Sequence, residues 1–406
     1  MSAVAPVVGC VCGEKDCFMF NRFLRCLLVS GVVMSLPVAA TAYPALYQSA
    51  CAWHVVTSPN PFAEGNDLFS VSAVSATDAW AVGYYTASGN LQPLFEHWNG
   101  TKWSVVAGPN PGYSFLDGVT ALATNDVWAV GAVYDSAHAV YQNLTEHWDG
   151  SSWSVVSVPS LGFVNNFLYG VSGTSGNDVW IVGAYNISSS VRGTVIGHRN
   201  MPTGSWVLAA GPDKGSGTNV LGSVAAIKPN DAWAVGIYTS GSVPQTLAEH
   251  WNGTKWKIVA TPDANALNNL LNSTSAVNAH DVWAVGDYYN GTIFQTLAEH
   301  FNGTSWSLVP SPNMGSSAVD LFGSAAVTTH DVWAVGQQQS GTYTKTFTMN
   351  WNGTAWSAVT SPNPSLNDNF LNGAAKIPGT SDIWAVGGIT NADHSYHHTL
   401  IEKFHC

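Results

Sequence analysis

Charge is scarce in this sequence. Only 9% of the 406 residues are charged, and 13 Lys plus Arg stand against a formal net charge of −12. Nucleic-acid binding needs clustered basic side chains to track phosphates, so a nucleic-acid partner is excluded. Cysteine is scarce too. Four of the six, Cys10, Cys12, Cys17 and Cys26, fall in the first thirty residues, which leaves only Cys51 and Cys406 for the rest of the chain. A long apolar run is also missing. The stretch from Cys26 to Val38 is broken by Ser30, Gly31, Ser35 and Pro37, and is shorter than the roughly 20 residues that span a bilayer.

That interrupted stretch reads instead as a leader. Basic Asn21-Arg22-Phe23-Leu24-Arg25 precedes it, and the small-residue site Ala40-Thr41-Ala42 follows. Residues 1–42 are therefore expected to be removed after Ala42, with Met19 an alternative start that would leave residues 1–18 untranslated. The mature chain 43–406 is expected to be secreted, with no membrane contact once the leader is gone. In an exported protein two remaining cysteines point to a disulfide, Cys51 to Cys406, more than to a metal or redox site.

What the sequence has in abundance is apolar and aromatic material, 46% and 12%, and it is periodic. The motif Asp-x-Trp-(Ala/Ile)-Val-Gly recurs with its aspartate at Asp78, Asp126, Asp178, Asp231, Asp281, Asp331 and Asp382, at spacings of 48, 52, 53, 50, 50 and 51 residues. Each copy carries four β-rich segments, a to d. In the fourth copy an apolar strand a leads into the Asp-x-Trp strand b. Thr246-Leu247-Ala248-Glu249-His250-Trp251 then forms c, and Trp256-Lys257-Ile258-Val259 forms d. Asn252-Gly253 between c and d predicts a tight I′-type hairpin turn, because both residues tolerate positive φ. Four strands per repeat and nothing helical predict an all-β, seven-bladed β-propeller of antiparallel four-stranded blades in a single domain, 43–406.

All 18 tryptophans obey the register: seven in strand b, seven opening strand d, and four (Trp98, Trp148, Trp251 and Trp351) closing strand c. Side chains of that bulk at repeating positions are expected to fill the space between blades. The mature chain opens with a lone d strand, Trp53-His54-Val55-Val56, and ends with a lone c strand, Thr399 to Phe404, so the two ends should complete one blade. Placing Phe404 on Trp98 and Trp53 on Trp103 puts Cys406 and Cys51 at the positions of Gly100 and Thr101, neighbours in an ordinary hairpin. A disulfide there replaces the missing turn, and in the chain-entropy model closing so long a loop contributes about 5 kcal/mol.

The repeat resembles the kelch repeat of propellers such as the galactose oxidase central domain, in which an apolar strand ends in Gly-Gly, a strand ending in an aromatic follows, and a Trp opens the last strand. Ile383-Trp384-Ala385-Val386-Gly387-Gly388 matches the glycine doublet; the other six blades keep the first glycine only. The resemblance covers residues 53–404 and implies the fold; propellers carry binding modules and enzymes alike.

Residues present in every blade are poor catalytic candidates, since a reaction centre is singular while packing repeats. The seven strand-b aspartates are expected to cap the a–b turn. The Glu-His pairs of strand c, such as Glu96-His97 and Glu249-His250, face opposite sides of the sheet and should serve hydrogen bonding. The mouth of the channel, framed by the d–a and b–c loops, is where a ligand is expected. Asn66, Asn166, Asn219, Asn269 and Asn369 stand two residues before the strand-a leucine and could bind sugar hydroxyls as a polar ring; a local Asx turn is the alternative. The last b–c loop carries the histidine cluster His394, His397 and His398, three imidazoles that could take copper or zinc, with a solvated loop as the default. A radical copper site would also need a free cysteine, which the disulfide removes. Two arginines in the mature chain, Arg192 and Arg199, disfavour a sialidase-like arginine triad.

The leading expectation is a monomeric extracellular binding or scaffold propeller, without catalytic residues or cofactor, that offers its loops to a glycan or protein. The alternative is a carbohydrate-active hydrolase, lyase or oxidase using singular loop residues: His138, Tyr141, Asp287, Tyr289 and the histidines of blade seven.

Overall fold

The computed structural model describes residues 51–162, 164–200, 204–391 and 396–406; the leader expected over residues 1–42 lies outside them. Seven antiparallel four-stranded sheets form the blades. In blade four, strand a is Asn219–Lys228, b is Asp231–Ser240, c is Val243–Trp251 and d is Trp256–Val259, paired in that order. The seventh sheet joins the two ends: Ala52–Val55 pairs with His397–His405, which pairs with Ile383–Thr390 and then Asn369–Lys376. Trp53 stands opposite Phe404, the register Trp103 holds to Trp98 in blade one, and Cys51 is bonded to Cys406.

The core lies in the seams. Trp80 of blade one, 1% exposed, meets the edge of Trp153 of blade two at 5.2 Å and 85°, and the strand-b and strand-d tryptophans repeat that crossing around the ring. Each such seam buries large aromatic area in an edge-to-face arrangement that a ring quadrupole favours.

The conserved spacing inside the motif has a backbone cause. Every strand a contains a β-bulge just after its leucine, so the pairing slips from Leu221 to Ser223 in blade four and at the matching place in the other six. Opposite the bulge sits the motif glycine. A Cβ on Gly236 would lie 2.0 Å from the Val220 carbonyl oxygen, and the same collision recurs at Gly83, Gly131, Gly183, Gly286, Gly336 and Gly387. Only glycine allows the two backbones so close.

Two local expectations are corrected. The c–d connection is a four-residue loop rather than a two-residue I′ turn: Trp98 pairs with Trp103, and only Gly100 takes positive φ. Asn99 keeps ordinary φ and instead gathers the N–H groups of Thr101 (3.0 Å) and Lys102 (3.1 Å) on its Oδ1. The strand-b aspartates serve strand c, although Asp178 also accepts from Thr174 Oγ1 across the a–b turn. Each holds the strand-c residue of its own blade: His97, His147, His198, His250 and His300 reach Asp78, Asp126, Asp178, Asp231 and Asp281 at 2.8–2.9 Å. Blade six substitutes Asn350 on Asp331 (2.8 Å), and blade seven Lys403 on Asp382 (2.8 Å). Each histidine also lies over the strand-b tryptophan, Trp180 and His198 with ring centroids 3.7 Å apart, so the aspartate fixes the ring that seals the seam.

Candidate functional site

Strands a form the inner ring, and the bulge leaves one unpaired residue per blade on it. These residues are Phe69, Asp117, Tyr169, Gly222, Asn272, Phe322 and Asn372. Sequence reasoning missed them, although they share one place in the repeat, immediately after the strand-a leucine. No two neighbouring blades present the same side chain there, whereas leucine, glycine and tryptophan around them are invariant.

Polar members of the inner ring tie neighbouring blades together. Asn272 donates from Nδ2 to Asp287 Oδ1 (3.1 Å) within its blade and to the Leu321 carbonyl (2.8 Å) of the next, and Asn372 donates likewise to the Leu68 carbonyl (2.7 Å) of blade one. Tyr169 receives Arg192 Nη1 at 3.4 Å; burial raises its phenol, with Asp117 adding to the rise and Arg192 opposing it. Arg192 also lies over the Phe167 ring at 5.4 Å.

The five asparagines expected as a ligand ring are all buried, four of them at 0% exposure. Their amides grip their own d–a loops. Asn219 Oδ1 accepts from Lys214 N (2.8 Å) and its Nδ2 donates to the Gly217 carbonyl (3.0 Å); Asn269 spans Ala264 N, Asn265 O and Leu267 O. Asn166 and Asn369 are bonded the same way, to Leu161 and Val164 and to Ser365 and Asn367, and Asn66 donates to the Phe62 carbonyl. What they present outward is the loop conformation they set.

The other singular residues do not converge. His138 bonds Asp135 (2.6 Å) in an exposed loop. Tyr141, 5% exposed, is packed among Tyr113, Phe115, Tyr134 and Phe167, and burial raises its phenol further than its two tyrosine neighbours do. Tyr289 packs on Phe294. Of the blade-seven histidines, His394 lies outside the described residues, and His397 and His398 are successive strand residues that point to opposite faces. Among the described residues no three His, Cys, Asp or Glu side chains gather at metal-binding distance.

His397 lies on strand c of blade seven. Its Nδ1 lies 2.9 Å and 3.2 Å from the two carboxylate oxygens of Asp67, across the seam between blades seven and one.

A second set of acids lies away from the mouth, in the seams. Glu96, Glu146, Glu249, Glu299 and Glu402 on strand c are 0% exposed; neither carboxyl oxygen of the first four has a hydrogen-bond partner, and Glu402 has the Ser361 hydroxyl beside it. Burial pushes all five upward, Glu146 and Glu402 to about 8, the latter held down slightly by Ser361. Burial disfavours the charged form of each.

No protein-family model and no curated protein matches the chain. Solved structures do resemble it. YCF48 bound to a D1 peptide shares 13% identity over 88% of this chain and 96% of that one, with a TM-score of 0.52. YCF48 from Cyanidioschyzon merolae shares 15% over 87% and 99%, TM-score 0.50. A polysaccharide lyase, PL25 ulvanlyase bound to -[GlcA(1-4)Rha3S]-, shares 9% over 83% and 94%, TM-score 0.52. At such identities the likeness is one of fold, and the fold is a β-propeller whose solved neighbours include both a peptide-bound protein and a polysaccharide lyase.

Proposed function

We propose that the chain is a secreted, kelch-like binding propeller whose d–a and b–c loops and inner ring receive a glycan. The observation that carries this reading is the inner-ring position itself: seven equivalent backbone sites, one per blade, six of them carrying aromatic (Phe69, Tyr169, Phe322), amide (Asn272, Asn372) and acidic (Asp117) side chains in an irregular order and the seventh Gly222. Packing alone would repeat. An aromatic face beside amides and carboxylates is the chemistry that meets a sugar, whose C–H surface stacks and whose hydroxyls bond. The solved neighbours support both a binding and a carbohydrate-active role.

A glycan-array screen of the oxidised protein, with and without calcium and copper, tests it. Specific binding that is lost in Tyr169→Ala or Asn272→Ala supports the reading; a blank array removes the glycan and leaves an extracellular protein as partner.

A further inference from the structure

We propose that Asn99, Asn252, Asn302 and Asn352 on the c–d loops are sites of spontaneous deamidation in the folded ring, and that Asp149, on the same loop of blade two, shows the state they convert to. The inference is independent of any ligand: in an antiparallel blade the a–b and c–d connections lie at the end opposite the d–a and b–c loops.

All four asparagines are exposed, and each precedes a glycine of positive φ, +91° at Gly100, +87° at Gly253, +91° at Gly303 and +93° at Gly353. Glycine has no Cβ to shield its own nitrogen, so the backbone N beside the amide carbon is an unhindered nucleophile. The amide oxygen is held by fixed donors. Asn99 Oδ1 accepts from Thr101 N (3.0 Å), Thr101 Oγ1 (2.8 Å) and Lys102 N (3.1 Å). Asn252 takes the same three from Thr254 and Lys255 (3.1, 2.7 and 3.1 Å), and Asn352 from Thr354 and Ala355 (3.0, 2.7 and 3.0 Å). Donors aimed at one carbonyl oxygen polarise its carbon and stabilise the negative charge that grows on that oxygen during attack.

In the step, the glycine nitrogen gives its proton to solvent and forms a bond to the asparagine Cγ, while the C=O electron pair moves onto Oδ1. When the pair returns, the Cγ–Nδ2 bond breaks and Nδ2 leaves as ammonia with a proton from water. One water then opens the cyclic imide, at the side-chain carbonyl to give aspartate or at the backbone carbonyl to give isoaspartate. The balance is one water in and one ammonia out.

Blade two already carries an acid on this loop. Asp149 precedes Gly150, whose φ is +95°, and its Oδ1 accepts from Ser151 N (2.8 Å), Ser151 Oγ (2.7 Å) and Ser152 N (2.9 Å). The Ser151 hydroxyl and then the two N–H groups hold its carboxyl well below the usual carboxylate range, at about 2. An aspartate formed at Asn99 enters the same set of donors. Two other asparagines grade the effect. Asn302 Oδ1 accepts from Thr304 N (3.0 Å) and Ser305 N (3.1 Å) but not from the Thr304 hydroxyl. Asn372-Gly373 is the same dipeptide, yet Asn372 is 5% exposed and its Nδ2, the leaving group, is held by the Leu68 carbonyl at 2.7 Å.

Peptide mapping by mass spectrometry of the oxidised protein, incubated at mildly alkaline pH, reads each site separately. Asn99, Asn252 and Asn352 should lose their amides no more slowly in the folded protein than in denaturant. Asn302 should react about threefold to tenfold more slowly than these, the rate equivalent of one hydrogen bond, and Asn372 should stay intact until the ring unfolds. Thr101→Ala, which keeps the N–H donors, should slow Asn99 by the same factor and leave Asn252 in the same molecule unchanged; Thr101→Ser, which copies blade two, should restore the rate. Asn99→Asp, the product made directly, should keep the native melting temperature. Amides at all four sites that outlast those of the denatured chain by about tenfold or more overturn the proposal, because the loop then shields the asparagine. A native rate at Asn99 in Thr101→Ala overturns the part given to the hydroxyl, and a lowered melting temperature in Asn99→Asp overturns Asp149 as the product state.

Discussion

Cys51 and Cys406, 355 positions apart, are covalently joined with their Cα atoms 3.8 Å apart, where blades one, two, four, five and six have a four-residue c–d loop. The closing blade is thus held both by strand pairing and by a bond across its open hairpin. Reduction, or Cys51→Ser with Cys406→Ser, should lower stability by about 2–5 kcal/mol while leaving the ring folded at low temperature. Thermal unfolding with and without reductant reads the shift. No change would mean that strand pairing alone closes the ring.

The seam glutamates predict a pH dependence with a definite sign. Their folded values lie above the ordinary carboxylate value, about 8 for Glu146 and Glu402, because the charged form is desolvated. Stability from the neutral acids is full below about pH 4.5 and is lost as pH rises through about 8. The melting temperature should therefore fall between pH 5 and pH 9. Glu146→Gln combined with Glu402→Gln, which keep shape without ionising, should flatten that fall; a melting temperature rising over this range would refute the assignment.

Gly236→Ala tests the bulge. With the Val220 carbonyl 2.0 Å from the added Cβ, strands a and b of blade four must separate, at a cost of about 2 kcal/mol or more. Gly241→Ala is the contrast, because a Cβ there meets nothing within 4 Å and only the strain of its positive φ, +65°, remains. Chemical denaturation of the two variants should rank them in that order.

His250→Ala removes a side chain that both hydrogen-bonds the Asp231 carboxylate and covers Trp233 at 4.4 Å. The expected loss is about 1–3 kcal/mol, because Asp231 is left buried without its partner. His250→Asn, copying the Asn350–Asp331 arrangement of blade six, should recover part of it.

Most of the architecture was legible in the sequence because its determinants repeat. A motif copied seven times at near-constant spacing states the blade number, and the unmatched d and c strands at the ends state how the ring closes, down to the register of Trp53 on Phe404. The turn chemistry was less legible. Asn-Gly signals a turn, but whether the turn spans two residues or four depends on where the tryptophan pair locks the register, and Trp98 with Trp103 sets it at four. The asparagines before strand a were visible as a set, yet their burial follows from how tightly each d–a loop folds back on the amide.

The sequence by itself determined the fold, the blade count and the disulfide partners, since those follow from local patterns summed around a closed ring. Only the tertiary structure decided which aspartate holds which histidine, that a bulge places one variable residue per blade on the inner ring, and that Asp67 meets His397. The physical reason is the same in each case. These contacts depend on strand register and on which residues a closed ring brings together, and for Asp67 and His397 the chain distance is 330 residues, so no local pattern records it.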